Sequence, residues 1–324
     1  TEDMILKIPS NNIMNKLARS VLVSYSYDED PEDTSIENVL RQSIQLIARF
    51  PTLISYGFQA KQHYYHDKTL YIHSPDPEAS TAENILRLTR PDAQYSDLEA
   101  ELLDLALVLH AEHGGGNNSA FAVHVVSSSD TDTFSAVSAA VGSLKGTKHG
   151  GANIKVRQMM ENIKSNVSNW EDEDEIASYI EQILRREAYD GKGLVYGMGH
   201  AVYTLSDPRA VLLKAKAKEL AGEKGYGEEF GLYERVERLT PPIFRRVKNS
   251  DKDISANVDF YSGFVYHMLD IPEDLYTPIF AVARIAGWAA HRIEELINGG
   301  RIIRPAYKHI RKDEIHYIPL KDRK

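Results

Sequence analysis

Apolar residues recur along most of this chain with the period of an α-helix. Between residues 98 and 109 a leucine stands at every third or fourth position, which places these leucines on one face of a helix. The same pattern extends over three further segments, 173–188, 208–221 and 278–298. Two short segments, 68–73 and 316–320, instead alternate apolar and polar residues as a half-buried strand does. The pattern as a whole predicts an all-α fold.

The predicted helices carry recognisable start signals. A serine followed three residues later by a glutamate, the capping-box pattern, stands at 80–83 and again at 96–99. Asp207 followed by Pro208 has the order expected of an N-cap and a first helical residue. Segment 136–146 is rich in alanine, serine and glycine at helical spacing, which predicts a helix that packs closely against a neighbouring helix.

Composition narrows the class of protein. The chain has 324 residues, 42% of them hydrophobic, which suits a globular protein of about two domains. With 38 basic and 47 acidic residues its net charge is −9, which argues against sequence-independent binding of nucleic acid. No run of 18 apolar residues predicts a membrane span. The absence of cysteine excludes disulfides and thiol nucleophiles and favours a reducing, cytoplasmic compartment.

The first candidate for chemistry is the segment 110–117, at the end of the leucine-rich helix. His110 and His113 are three residues apart and share a helical face, so the pair permits three interpretations. They could be two ligands of a metal, helix-end histidines favoured by the helix dipole, or contacts to a substrate. A metal site would need at least one more ligand, so the spacing alone does not decide among the three.

Two further histidines lie in glycine-rich loops. His149 precedes Gly150 and Gly151, and His200 follows Gly199. Glycines let the backbone approach a ligand closely, so both histidines are candidates for substrate contact, with a structural role as the alternative. The loop before His200 lacks the third glycine of a dinucleotide fingerprint, although its amides could bind a phosphate or an oxyanion.

Four charged residues complete the inventory. Asp259 stands among apolar residues, where burial would raise its pKa and suit it to act as a base; the alternative is an N-cap. Arg209 lies in the first turn of a helix, where a cation is disfavoured and an anionic partner is expected. Arg284 interrupts an apolar helix and needs either a structural carboxylate or an anionic ligand. Arg304, before Pro305, is another candidate for carboxylates. Together these groups suit acid–base chemistry on a small polycarboxylate.

The ordered set of motifs resembles that of the citrate synthase family, which includes 2-methylcitrate synthases. The resemblance covers residues 40–307 and rests on segments 110–117, 148–153, 197–203, 207–209, 257–263, Arg284 and 301–305. It implies an all-α fold with a large and a small domain, working as a homodimer. The large domain would take residues 1–153 and 263–324 and the small domain residues 154–262. Because family members usually carry further residues before the position of Thr1, we expect part of the large domain to be missing.

The resemblance also implies a reaction, the condensation of acetyl-CoA with oxaloacetate followed by hydrolysis of the citryl thioester. Asp259 would remove a proton from the acetyl methyl, His149 would donate to the thioester oxygen, and His200 to the oxaloacetate ketone. The residues implied to hold oxaloacetate are His113, Asn117, His200, Arg209, Arg284 and Arg304, the last supplied by the other subunit. Those implied to line the CoA side are Val195, Tyr196, Gly197, Met198 and Gly199. Neither a metal nor a cofactor is implied, since the CoA thioester is a substrate.

Ala201 and Thr204 depart from the family pattern, because many relatives carry basic residues there that could contact the CoA phosphates. Three alternatives stay open at this point. A 2-methylcitrate synthase would use propionyl-CoA, which differs by one methylene, worth only about 1–3 kcal/mol in a pocket. A helical metal-dependent hydrolase would use His110, His113 and a carboxylate. A silent binding or assembly protein would bind oxaloacetate without turnover.

Overall fold

The computed structural model describes residues 2–147, 149–199, 203, 205–306, 308, 310 and 316–323. Within these ranges the chain forms helices and no β-strand; one isolated bridge joins Met198 and Ala256. The prediction of an all-α fold is therefore confirmed. The helices are α1 (Glu2–Lys7), α2 (Ile13–Ser24), α3 (Ile36–His66), α4 (Thr81–Thr89), α5 (Asp97–His110), α6 (Asn118–Ser127), α7 (Thr133–Leu144), α8 (Ala152–Asn166), α9 (Glu173–Arg185), α10 (Pro208–Glu223), α11 (Gly227–Lys248), α12 (Val258–Met268) and α13 (Tyr276–Asn298).

Neither alternating segment forms a strand, in agreement with the prediction of an all-α fold. Residues 68–73 are extended but almost wholly exposed, and they lie against α3 through a hydrogen bond of 2.9 Å from the Tyr56 hydroxyl to the His73 carbonyl. Residues 316–319 are exposed and in no regular element, and Leu320 begins a short 3-10 helix. A strand needs a neighbour that accepts its backbone hydrogen bonds, and the described part of the chain offers neither segment one.

Helix α13 lies at the centre of the core, where it packs against α3, α5, α6 and α7. Its Trp288 is fully buried. The small residues of α7 let this helix pack against both α2 and α6, as predicted for that segment. The described helices include none long and apolar enough to cross a membrane.

The leucine-rich helix forms where predicted, but its buried face is rotated from the predicted one. Leu102, Leu103 and Ala106 are completely buried, whereas Leu105 and Leu109 are only half-buried. The difference arises because α5 packs against four helices, α4, α10, α12 and α13. These neighbours cover more of the surface of α5 than the single face marked by the leucines. His110 belongs to this buried face.

Both predicted capping boxes are present. The Ser96 hydroxyl accepts a hydrogen bond from the Glu99 amide, and the Glu99 carboxylate accepts one of 2.9 Å from the Ser96 amide. Ser80 and Glu83 repeat this arrangement at the start of α4. Asp207 caps α10, with Pro208 at the first helical position.

We expect Ser96→Ala to lower the free energy of unfolding by about 1 kcal/mol, because the Glu99 amide then loses its acceptor. Chemical denaturation followed by circular dichroism measures this change. Ser165→Ala is the matched control: this exposed serine bonds only the carbonyl four residues earlier, and its loss should change stability by much less. Equal stability of both variants and the parent would contradict the role of the cap.

The predicted division into two domains stays a prediction. Helix α12 is continuous from Val258 to Met268, so the predicted boundary between residues 262 and 263 falls inside a helix. The other predicted boundary, between 153 and 154, falls at the start of α8. What the fold does establish is that the ends of α5, α6, α10 and α12 approach α13 on one side.

Candidate active site

The helix ends that approach α13 enclose a cavity of about 120 Å³. Helix α13 supplies two residues to its wall, and the starts of α6, α10 and α12 and the loops before α6 and α8 supply the others. The lining residues are His113, Asn117, His149, Gly150, Arg209, Val258, Asp259, Phe280 and Arg284. Six residues that the sequence proposed, scattered over more than 170 positions, therefore meet at one place.

Asp259 is the only carboxylate among the lining residues. It lies in the first turn of α12, two residues after the N-cap Asn257, so the alternative that Asp259 is itself the N-cap is wrong. Burial raises the pKa of Asp259 to about 6, against the lowering effect of Arg209 and Arg284. A carboxyl group with this pKa is mostly ionised at pH 7, yet is basic enough to accept a proton from carbon.

Arg284 is 1% exposed, and the described residues offer it no carboxylate partner. Its Nε donates to the His110 carbonyl at 2.7 Å and its Nη1 to the Asn117 side-chain oxygen at 3.1 Å. Its guanidinium also stacks on the Phe280 ring at 4.7 Å. Burial lowers the pKa of Arg284 to about 10, so the group remains a cation at pH 7. Of the two interpretations left open for this arginine, the structure favours the anionic ligand.

Arg209 has an internal carboxylate partner, Asp207. Nε and Nη2 of Arg209 donate to the two carboxylate oxygens at 3.0 and 2.8 Å, and its guanidinium lies 5.2 Å from the Tyr203 ring centroid. Asp207 also accepts from the Val258 amide at 3.1 Å, which joins the starts of α10 and α12. Although burial acts to raise the pKa of Asp207, the hydrogen bonds from Arg209 hold it below its usual value. The pair fixes Arg209 beside Asp259.

His149 is held by a hydroxyl group that the sequence did not single out. Its Nε2 lies 3.0 Å from the Ser119 hydroxyl, which also accepts from the Trp288 indole N–H at 3.1 Å. Burial lowers the pKa of His149, and nearby Arg284 lowers it further, so the imidazole is neutral at pH 7. A neutral imidazole in this position presents its other nitrogen to the cavity without adding charge.

The structure separates the two histidines of the 110–117 segment. His110 is completely buried, its Nδ1 lies 2.7 Å from the Ala106 carbonyl, and burial lowers its pKa to about 4. His113 lines the cavity instead, with its amide donating to Glu112 at 2.8 Å. The two rings therefore have different environments, and of the alternatives the core role fits His110 and the ligand contact fits His113.

Gly150 shows why the loop before α8 needs glycine. A Cβ atom there would overlap the Leu144 carbonyl oxygen and lie 2.7 Å from the Thr277 methyl group. The Thr277 hydroxyl also donates to the Gly150 carbonyl at 2.9 Å. The loop is thus pressed between α7 and α13, which sets the position of His149 one residue earlier.

The segment 195–199 runs beside the start of α12. The Gly199 amide donates to the Ser255 carbonyl at 2.7 Å, and the Asn257 amide donates to the Gly197 carbonyl at 2.8 Å. Gly197 has a φ of +78°, and a Cβ there would lie 2.9 Å from the Phe260 Cα. Because Asn257 is only two residues before Asp259 in the chain, these bonds hold the loop beside the start of the helix that carries Asp259. The predicted CoA contacts of Val195, Tyr196, Met198 and the two glycines stay a prediction.

The residues still to be placed from the acid–base and oxaloacetate set are His200 and Arg304. His200 lies outside the described residues, as do Ala201 and Thr204, so the structure says nothing of them. Arg304 is exposed and does not line the cavity of its own chain.

Ser119 and Phe280 were missed from the sequence. Phe280 contacts the rings of His110 and His149 edge-on and lies under Arg284. Its position four residues before Arg284 on one helix face is the signal that could have identified it. Ser119 offered no such signal, because its partners His149 and Trp288 are 30 and 169 residues away.

The fold and the cavity define a class: a helical protein that holds a basic carboxyl group, a neutral imidazole and two guanidinium groups around one small cavity. The chain belongs to the citrate synthase family, since the model of the citrate synthase C-terminal domain matches residues 1–306.

Individual relatives agree with this assignment. A citrate synthase of Synechocystis is 36% identical over 280 residues, which cover 86% of this chain and 64% of that protein. A 2-methylcitrate synthase of Corynebacterium glutamicum is 32% identical over 308 residues, 93% of this chain and 73% of its own length. The crystal structure of citrate synthase from Pyrobaculum aerophilum superimposes with a TM-score of 0.80 and 29% identity, covering 99% of this chain and 77% of that one. The chain thus spans about two thirds to three quarters of the length of these relatives.

Proposed function

We propose that this chain condenses acetyl-CoA with oxaloacetate and hydrolyses the resulting thioester, giving citrate and CoA. The observation that carries the proposal is the placement of Asp259, with a pKa of about 6, in the same cavity as His149, Arg209 and Arg284. Membership of the citrate synthase family supports it. The reaction has three stages, which are enolisation, condensation and hydrolysis, and the other groups of the cavity fit them.

In the first stage Asp259 removes a proton from the acetyl methyl group. A thioester α-proton is too weakly acidic for a carboxylate acting alone, so the developing charge on the thioester oxygen must be neutralised as the proton leaves. His149 is the donor we assign to that oxygen. One well-placed donor of this kind is worth about 10²–10³ in rate, and proton transfer by a positioned base about 10²–10⁴.

Two acceptors compete for the Ser119 hydrogen, and which of them receives it sets the nitrogen of His149 that carries the proton. The Ser119 oxygen accepts from Trp288, and its own hydrogen can point to the Asn117 side-chain oxygen at 3.0 Å or to Nε2 of His149 at 3.0 Å. When the hydroxyl donates to Nε2, the neutral ring carries its hydrogen on Nδ1. That tautomer is the one able to donate to a thioester oxygen, so Ser119 acts as a positioning residue.

In the second stage the enol attacks the ketone of oxaloacetate. We assign the two carboxylates of oxaloacetate to Arg284 and Arg209, with His113 and Asn117 completing the pocket. His200 is assigned to the ketone oxygen on the family resemblance alone. Holding the enol and the ketone in contact supplies much of the remaining acceleration. The third stage, hydrolysis of the citryl thioester, releases CoA.

The assembly that we propose is a homodimer in which Arg304 of each chain completes the cavity of the other. Its exposed position, away from its own chain's cavity, supports this arrangement. The segment 195–199 would contact CoA. We further propose a cytoplasmic enzyme of the tricarboxylic acid cycle, without metal or cofactor in the reaction.

A thiol-release assay tests the proposal. The purified protein is given oxaloacetate with acetyl-CoA and, separately, with propionyl-CoA, and free CoA is measured with a thiol reagent. Faster release from acetyl-CoA supports the proposal. Faster release from propionyl-CoA favours the second candidate, a 2-methylcitrate synthase, which is supported by the similarity of this chain to such enzymes. Oxaloacetate binding without any release would identify a silent relative and contradict the proposal.

The raised pKa of Asp259 gives an expected pH dependence. The base must be ionised to accept a proton, so kcat/KM should fall tenfold per pH unit below about 6 and level off above it. Initial rates of thiol release between pH 4.5 and pH 8 measure this profile, with circular dichroism at each pH as the control for unfolding. A rate that stays constant down to pH 5 would remove Asp259 as the base.

A further inference from the structure

A second group of titratable side chains lies outside the cavity, where α6 meets the last turns of α13. It consists of His124, His291, Glu294, Glu295 and Glu112. Nε2 of His124 lies 3.0 Å from Nδ1 of His291, and the same Nδ1 lies 3.2 Å from a carboxylate oxygen of Glu294. The other ring nitrogens contact carboxylates: His124 with Glu295 at 2.7 Å, and His291 with Glu112 at 2.9 Å.

Two neutral histidines do not carry enough N–H groups for all the acceptors in this group. A carboxylate only accepts, so Nδ1 of His124 must donate to Glu295 and Nε2 of His291 must donate to Glu112. Each neutral imidazole carries a single N–H. The two nitrogens that face each other at 3.0 Å are then both bare, and the Glu294 oxygen adds a third lone pair. Three electron-pair donors that converge in this way need a proton or a metal ion between them.

The spacing of these three atoms fits a metal ion. Tetrahedral Zn²⁺ binds imidazole nitrogen at about 2.0–2.1 Å and carboxylate oxygen at about 2.0–2.2 Å, which separates neighbouring ligand atoms by about 3.3 Å. Two of the three separations, 3.0 and 3.2 Å, are close to that value, and all three ligand atoms lie within 4.8 Å of one another. Glu295 and Glu112 supply the second-sphere carboxylates that usually orient metal-bound histidines. A Cβ atom on Gly115 would come within 3.3 Å of Nε2 of His124, so this glycine keeps the position open.

We propose that His124, His291 and Glu294 form a binding site for a divalent transition-metal ion such as Zn²⁺. Two imidazoles and one carboxylate suit zinc and its neighbours, and they are a poor set for Mg²⁺ or Ca²⁺, which prefer oxygen ligands. His124 and His291 are largely buried and Glu294 is exposed, so the ion has an access route and a position left for water.

The site is linked to the loop that carries His113. Glu112, which accepts from His291, also accepts from the backbone amides of His113 and Gly114. A metal on Nδ1 makes the opposite N–H of His291 a stronger donor, so the ion would hold Glu112 and this loop in place. The role that we infer is structural, because the three ligands do not line the cavity of Asp259.

Binding of Zn²⁺ itself tests the proposal. The protein is treated with a chelator, dialysed and titrated with ZnCl₂ by calorimetry, with excess Mg²⁺ present, and its metal content is then measured by mass spectrometry. We expect one Zn²⁺ per chain and a rise in melting temperature on binding. Glu295→Gln should weaken binding by about 10–100-fold, as changes to a second-sphere partner do. His124→Gln and Glu294→Gln should weaken it further.

His66→Gln is the matched control, because His66 is exposed at the end of α3 and far from this group in the fold. It should bind one Zn²⁺ like the parent chain. Glu294 is exposed, so its replacement keeps the test valid even if the His124 variant fails to fold. Absence of stoichiometric Zn²⁺ would mean that a proton occupies the group and would overturn the proposal, as would equal affinity of Glu294→Gln and the parent.

Discussion

Asp259→Asn is expected to lower the rate of thiol release by at least about 10²–10⁴-fold, because the amide cannot accept the methyl proton. The substitution keeps the size of the side chain, so the cavity retains its shape. Asp259 is the only carboxylate among the described residues that line the cavity. Steady-state thiol release with saturating acetyl-CoA and oxaloacetate measures the change.

The stability of the same variant separates loss of chemistry from loss of fold. An aspartate in the unfolded chain has a pKa near 3.8, whereas the pKa of Asp259 in the folded protein is about 6, so the unfolded chain releases this proton first as pH rises. Ionising Asp259 in the folded state therefore lowers stability, and above pH 6 the whole cost is present, at most about 3 kcal/mol. Asp259→Asn removes that cost, so its melting temperature at pH 7 should equal or exceed that of the parent.

Two results would count against this role of Asp259. A variant that releases thiol at near the parental rate would show that another group is the base. A variant that melts much earlier and no longer binds oxaloacetate would show that Asp259 is structural. Calorimetric titration with oxaloacetate distinguishes the cases, because binding should change little when only the base is lost.

Local patterns predicted the helices well, because helix boundaries depend on residues close together in the chain. The capping boxes at Ser80 and Ser96 and the Asp207–Pro208 start all form as expected. The face of α5 was predicted less well, since burial there depends on which helices pack around it. The alternating segment 68–73 forms no strand for a related reason: a strand requires a partner, and the sequence of the segment does not show whether one exists.

For the candidate site, too, local sequence identified candidate residues but did not show which of them lie close together. Residue types and glycine neighbours pointed to His149, Asp259 and Arg284, but only the fold shows that they face one cavity. Spacing alone could not decide between His110 and His113, because α5 ends at the fully buried His110, whereas His113 lies in the loop that follows and lines the cavity. Contacts made over long stretches of chain, such as that of Ser119 with His149, leave no local trace in a single sequence.

Two buried arginines on α13 show how the environment separates structure from binding. Arg292 donates from Nε, Nη1 and Nη2 to three oxygens of the turn between α6 and α7, at 3.1, 3.1 and 2.7 Å. Arg284 donates from Nε and Nη1 only, and the described residues hold no acceptor for its Nη2. Both are almost completely buried. Each nitrogen of Arg292 therefore has a partner, whereas Nη2 of Arg284 has none among the described residues and could serve a ligand in the cavity.

Arg284→Leu is accordingly expected to weaken oxaloacetate binding by about 2–5 kcal/mol, the usual effect of removing one partner of a buried, hydrogen-bonded charge pair. That corresponds to a rise of roughly 30- to 4,000-fold in the dissociation constant. Because burial lowers the pKa of Arg284 to about 10, removal of this cation relieves a desolvation cost that offsets the two lost hydrogen bonds. The variant should therefore stay folded, and calorimetric titration with oxaloacetate measures its affinity.

Arg292→Leu is the matched control on the same helix. It leaves two buried oxygens and one part-buried oxygen without their donors, so it should lower the melting temperature, while the folded fraction binds oxaloacetate as the parent does. Arg284→Lys keeps the charge without the planar fork and should lie between Arg284→Leu and the parent in affinity. An unchanged dissociation constant in Arg284→Leu would make that arginine a structural residue, because a folded chain that binds oxaloacetate equally well without it cannot be using its donor edge for the ligand.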